Sequence, residues 1–175
     1  MVKITNLSEN PDLVLTNNEK FMSKNIGHCK MSVILNYSQG CGACRQFHPI
    51  YMKYVSDMYS TQDEKLQIAE FFEISSDNGK QQTIDAVNVL VNKCNPEHQN
   101  YIPLLMVFCQ TKLIDSHVGS FLTDDDYNSI ENKVSTYSQT QQPKVRSELI
   151  SKYEMKKLHE FINKCQKKCN SQCKI

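Results

Sequence analysis

A near-continuous apolar run, Val33-Ile34-Leu35-Asn36-Tyr37, gives way to Gly40-Cys41-Gly42-Ala43-Cys44 and then to a segment of helical period. A short apolar run flanked by polar residues suits a central strand. Behind it, Phe47, Ile50, Tyr51, Tyr54, Val55 and Met58 recur at three- and four-residue spacing, which predicts a helix over 41–59. A Cys-x-x-Cys at this junction sets its first sulfur at a helix N-terminus, where unpaired N–H groups and the macrodipole favour a thiolate. The second sulfur lies one turn in, close enough to close a small disulfide ring. The motif alone also serves zinc, so the spacing leaves that chemistry open.

The remaining pattern alternates strands and helices. Asp12 to Leu15 reads as a short strand, and Thr16-Asn17-Asn18-Glu19 has capping-box spacing, which predicts a first helix over 17–25. Pro49 falls inside the cysteine helix and should kink it. A strand is expected over 65–75, with Leu66, Ile68, Glu70, Phe72 and Ile74 on one side, ending at the turn signal Ser76-Asp77-Asn78-Gly79. An amphipathic helix carrying Ile84, Val87, Leu90 and Val91 should end near Cys94. Strands over 101–108 and 113–118 follow, then a helix over 124–134 capped by Thr123 or Asp124. The predicted order is β-α-β-α-β-α-β-β-α.

At 175 residues the chain fits one domain with an appended segment. The domain is expected over 1–136, a linker over 137–143, and a basic, cysteine-containing helical extension over 144–175. That extension holds nine Lys/Arg against three Asp/Glu, about +6, within a chain whose net charge is +1. A balance so near zero gives no reason to expect nucleic acid, and no apolar run approaches the ~18 residues of a membrane span. The first six residues lack the apolar core of a signal peptide, so a cytoplasmic location is expected. Abundant Asn and Lys fit a low-GC genome such as that of a large DNA virus, with packaging in a virion as a variant. Eight cysteines, at 29, 41, 44, 94, 109, 165, 169 and 173, would suggest a disulfide scaffold in a small secreted chain, but without a signal peptide a reducing compartment is expected. Cys109 reads as a small buried hydrophobe, and Cys29 and Cys94 as free thiols beside loops. Cys165, Cys169 and Cys173 read as a helix stripe packed on the domain. A disulfide shuttle to the first pair and zinc ligation both stay open, although no fourth zinc ligand is evident nearby.

Over roughly residues 12–135 the chain resembles the thioredoxin family. Four stretches carry the resemblance in order: the strand–Cys-Gly-x-Cys–helix segment, Pro49 five residues past the second cysteine, Lys65-Leu66-Gln67-Ile68-Ala69, and Ile102-Pro103-Leu104-Leu105-Met106-Val107-Phe108 followed by Val118-Gly119. The resemblance implies an α/β thioredoxin fold, a central mixed sheet flanked by helices, here with the C-terminal helical extension added. It implies a thiol–disulfide oxidoreductase in which Cys41 is the nucleophile and Cys44 resolves the mixed disulfide. It also implies a cis bond at Pro103 and a substrate groove formed by Gly40, Gly42, Ala43, Ile102, Pro103 and Gly119. The expected partners are protein disulfides or dithiols, with a thioredoxin-reductase-like donor or a thiol oxidase; no cofactor or metal is expected. A thiol oxidase or isomerase role in a disulfide relay, and a non-catalytic binding protein, are the alternatives.

Three departures from the family pattern bear on the chemistry. Gly40 replaces the tryptophan before the first cysteine, and the chain has no Trp, so the groove should be more open. Ala43 replaces the proline between the cysteines, which should make the couple less reducing. Leu35 replaces a buried Asp, and the family's partner lysine aligns with Glu70. Glu70 is therefore expected to handle the proton on Cys44. His48, one turn beyond Cys44, reads as a solvated helix residue.

Overall fold

The computed structural model describes residues 5–6, 13–16, 20–23, 31–61, 69–77 and 81–172, with side chains from residue 31 onward except at 61, 82 and 83. Those residues form two compact units, one of 1–119 with 164–175 and one of 120–163. This division differs from the sequence boundary at 136.

The first unit is built on a mixed sheet whose described strands run in the order β1-β5-β4-β6-β7-β3-β2. These are β1 (Thr5–Asn6), β2 (Leu13–Thr16), β3 (Lys20–Ser23), β4 (Met31–Tyr37), β5 (Ala69–Ser75), β6 (Leu104–Cys109) and β7 (Lys112–Val118). β4 is central because six of its seven residues are buried, as a strand covered on both faces requires. It pairs in parallel with β5, Leu35 opposite Glu73, and antiparallel with β6, Leu35 opposite Leu105. A parallel neighbour needs a crossover, and helix α1 (Gly42–Thr61) supplies it. β6 and β7 form a hairpin through Gln110-Thr111, with Gln110 at φ 55°.

The two sheet faces are covered by different helices. On one, Tyr51, Tyr54 and Tyr59 of α1 set their rings edge-on to Phe71 of β5. The fully buried Tyr51 hydroxyl donates to the Phe72 carbonyl at 2.9 Å and the Val33 carbonyl at 3.3 Å, tying α1 to both parallel strands. On the other, Ala86, Val87, Leu90 and Val91 of α2 (Gln81–Cys94) pack with Ile34, Phe72, Ile74, Leu104, Met106 and Phe108. Each large side chain in this cluster contributes about 1.5–3 kcal/mol by leaving water. A 3₁₀ turn, Pro96–His98, leads from α2 towards β6.

The helix expected over 17–25 is not formed at 20–23, where β3 pairs antiparallel with β2 from Leu13–Ser23 to Thr16–Lys20. The Thr16-to-Glu19 spacing that suggested a cap contains Asn17-Asn18, residue types that serve turns equally well. No apolar period of 3.6 follows to sustain a helix. Expectations placed on 62–68, and on Cys29 and Cys173, lie outside the described residues.

The second unit is a helical hairpin of α3 (Asp124–Val134) and the larger part of α4 (Gln142–Gln172). Thr123 caps α3 in a capping box, its hydroxyl receiving the Asp126 N–H while the Asp126 carboxylate receives the Thr123 N–H. Arg146 forks onto Glu131 at 2.7 and 2.8 Å, Lys133 reaches the Tyr153 hydroxyl at 2.6 Å, and Lys157 meets Asp126. These pairings run α3 and α4 antiparallel. Buried Glu154 receives the Ser120 hydroxyl and the Phe121 N–H, fixing the chain's entry to α3.

Cys109 is not a packed thiol. It forms a disulfide with Cys169 on the last turns of α4, Cα atoms 5.3 Å apart. Reading each cysteine as a local packing residue could not anticipate a partner 60 positions away. Beside this bond Lys168 donates to Asp115 of β7 at 2.6 Å, and buried Cys165 is a free thiol pushed up to about 12, mainly by desolvation.

Candidate active site

Cys41 occupies the N-cap of α1. The first helical hydrogen bond runs from the Arg45 N–H to the Cys41 carbonyl at 3.1 Å. The Cys41 sulfur accepts the Cys44 N–H at 3.3 Å, the position a capping oxygen normally takes. The same sulfur lies 3.7 Å from the Ile102 carbonyl oxygen, and the Ile102–Pro103 bond is cis. Cys41 is partly exposed, whereas Cys44 is 1% exposed. Both thiols are free. Burial pushes the Cys44 thiol up to about 12; the hydrogen bond to Cys41 and the charges of Cys41 and Asp77 add to the rise, and a backbone bond from Ser38 opposes it.

Of the residues expected to line a groove, Gly40, Gly42 and Ala43 adjoin Cys41 in the chain and the Ile102 carbonyl lies beside its sulfur. Gly42 and Ala43 are exposed on the first turn of α1, and Gly40 is exposed just before it. Pro103 is buried, Ile102 half-buried, and the Pro103 carbonyl receives the Gly119 N–H at 2.9 Å. Gly119 has φ +73°, a conformation that suits glycine.

Glu70 is not among them. It pairs with Ser32 near the start of β4 and alternates with Phe72 and Ile74, which face α2. The cysteine helix covers the other face. The carboxylate on the α1 side is Glu73, directly across from Leu35. His48 Nε2 lies 3.0 Å from Glu73 Oε2, and its ring stacks on Tyr37 with centroids 4.4 Å apart. His48 is thus a paired, half-buried residue rather than a solvated one. The period-two pattern held the signal, because Glu73 alternates with Phe71 and not with Phe72.

Sequence reasoning also took Asp77 for a turn residue only. Its two oxygens receive the Ser38 hydroxyl and the Gln39 N–H, both at 2.6 Å. These bonds hold its carboxyl below the usual carboxylate range. Among the described residues no group of three or more His, Cys, Asp or Glu is placed to hold a metal ion.

No family model matches the sequence, and no curated protein does. Solved structures that overlap it include mitochondrial thioredoxin 3 of Saccharomyces cerevisiae in its oxidised form, at 17% identity over 77% of this chain and 95% of that one, TM-score 0.41. Thioredoxin of Fasciola hepatica overlaps at 14% identity over 63% and 84%, TM-score 0.37. Thioredoxin of Malassezia sympodialis does so at 17% over 61% and 76%, TM-score 0.36. Overlaps this slight carry no argument by themselves. What decides the architecture is the strand order β1-β5-β4-β6-β7, with β4 parallel to β5 and antiparallel to β6, and with α1 and α2 on opposite faces. The fold is a thioredoxin fold. Its central strand delivers Cys41 at the C-terminal end of the sheet, where parallel α/β sheets open a crevice between diverging loops. The β2–β3 hairpin extends this sheet beyond β7.

Proposed function

We propose that the protein is a thiol–disulfide oxidoreductase acting on protein substrates. One observation carries the reading: a partly exposed sulfur capping a helix, hydrogen-bonded by the N–H of a second, buried cysteine, beside the Ile102 carbonyl. The Cys41 thiolate attacks one sulfur of a substrate disulfide and forms a mixed disulfide, releasing the substrate's other sulfur as a thiolate. Cys44, losing its proton, then attacks the Cys41 sulfur. The Cys41–Cys44 disulfide forms, the second substrate sulfur leaves, and two electrons have passed to the substrate. Backbone groups at Ile102 are available to an extended substrate segment by strand addition. The flanking surface is Gly40, Gly42, Ala43 and Gly119.

The reverse direction, oxidation of substrate dithiols in a relay, has one observation behind it. The chain itself carries a buried disulfide, Cys109–Cys169, and such bonds form where an oxidant is met. This favours a thiol oxidase as partner and a compartment less reducing than the cytoplasm. The reduction potential of the Cys41–Cys44 couple separates the directions.

The test is dithiol-coupled reduction of insulin by the wild type, Cys41→Ser and Cys44→Ser. Cys41→Ser should abolish turnover, and Cys44→Ser should accumulate a substrate disulfide on Cys41 detectable by mass. Wild-type turnover no faster than the dithiol alone, with nothing trapped on Cys44→Ser, rejects the assignment.

A further inference from the structure

The turn carrying Cys41 hangs from one carboxylate just past the neighbouring strand. Asp77 follows β5, and its two oxygens take the Ser38 hydroxyl and the Gln39 N–H. Ser38 Oγ in turn accepts the Gly40 N–H at 3.2 Å, and the Ser38 carbonyl accepts the Cys41 N–H at 3.2 Å. Every residue from 38 to 41 is therefore bound to Asp77 or to a group that Asp77 holds. Alongside, the Ser76 N–H donates to the Tyr37 carbonyl at 2.7 Å and the Ser76 hydroxyl to Asn36 at 2.8 Å, so the two strand ends are laced together.

We infer that Asp77 is a positioning residue for the exchange reaction: its hydrogen bonds hold the 38–41 turn and so place Cys41 for attack. The inference rests on the exchange reading above. It follows from geometry, since the Cys41 sulfur keeps its place beside the Ile102 carbonyl only while the turn is held.

Two substitutions test the clamp. In Asp77→Asn the amide oxygen can accept the Gln39 N–H and the amide nitrogen can donate to Ser38 Oγ, because a hydroxyl both gives and accepts. The clamp can then re-form without the charge. Asp77→Ala removes both. Rapid mixing with a model disulfide, followed by acid quench and mass analysis, reads attack and resolution separately. For Asp77→Ala the attack rate should fall at least about tenfold, as a displaced reactant implies. Asp77→Asn should restore it to within about twofold of the wild type, because the clamp re-forms. Asp77→Ala attacking at the wild-type rate, or Asp77→Asn attacking as slowly as Asp77→Ala, overturns the inference. A wild type that forms no mixed disulfide instead rejects the exchange reading itself.

Discussion

Gly119 shows how one backbone angle is tied to the candidate site. Its φ of +73° is the left-handed region, and a Cβ built there meets nothing within 4 Å. The cost of a side chain is therefore conformational and not steric. Gly119→Ala should destabilise the fold by about 1–2 kcal/mol, the ordinary penalty for an L-residue in that region. Urea unfolding of the two proteins measures it, and equal midpoints would show that this backbone relaxes at no cost. At this scale the cysteine pair was legible because its chemistry depends on local spacing: two sulfurs three residues apart behind an apolar run. The acid near it was not. Alternation correctly places Glu70 with Phe72, but which helix covers which face is a tertiary fact absent from the pattern. Glu73, on the α1 side, pairs with His48. Asp77 was hidden for another reason, since Asp in Ser-Ser-Asp-Asn-Gly satisfies a turn signal completely, and nothing local reveals that it binds Ser38 and Gln39.

Two capping patterns of nearly the same form had different fates among the elements. Thr123-Asp124-Asp125-Asp126 caps α3, and the following Ile130 and Val134 are buried. Thr16-Asn17-Asn18-Glu19 is followed by β3, where no amphipathic period continues. A cap stabilises a helix that packing has already selected. The long periodic segments α1, α2 and α3 and the apolar strands β4 and β6 were readable for that reason, while four-residue β3 was not. The α3 cap also has a pH signature. Lys157 and the two Thr123 donors hold the Asp126 carboxyl at about 2, below its ordinary 3.8. A folded-state pKa below the unfolded value contributes stability above pH 3.8 that is lost as pH falls through about 2. Asp126→Asn should therefore lower the thermal midpoint at pH 5, and the gap from the wild type should close by pH 2. A gap constant from pH 5 to 2 would mean that the carboxylate's charge plays no part in the cap.

At the scale of the whole molecule, the described residues hold the Cys41–Cys44 pair and the Cys109–Cys169 bond, and the fold keeps the two apart. Pro103 precedes β6 at the Cys41 end, and Cys109 ends the same strand. Five residue steps of a strand span roughly 17 Å, so Cys41 does not reach the Cys109–Cys169 bond within one chain. A disulfide shuttle from Cys169 to the active-site pair, one of the sequence alternatives, thus lacks a direct intramolecular path. The bond's own effect is on stability. It joins positions 60 apart, and closing a loop of that length removes unfolded-state entropy worth about 4 kcal/mol in the chain-entropy description. With Lys168 on Asp115 it fixes the last turns of α4 within the sheet-bearing unit, which is why the compact units divide at 119 and 164 and not at the sequence linker. Helical period alone could place α4 but not what its end is bonded to. Cys169→Ser should lower the urea midpoint by an amount corresponding to about 4 kcal/mol, since it deletes the cross-link. Because Cys41 and Cys44 lie at the other end of β6, mixed-disulfide formation by Cys41 should survive under conditions where the variant remains folded. A variant as stable as the oxidised wild type would show that the cross-link constrains nothing the unfolded chain was free to do. Loss of exchange in the still-folded variant would show that the two centres communicate after all.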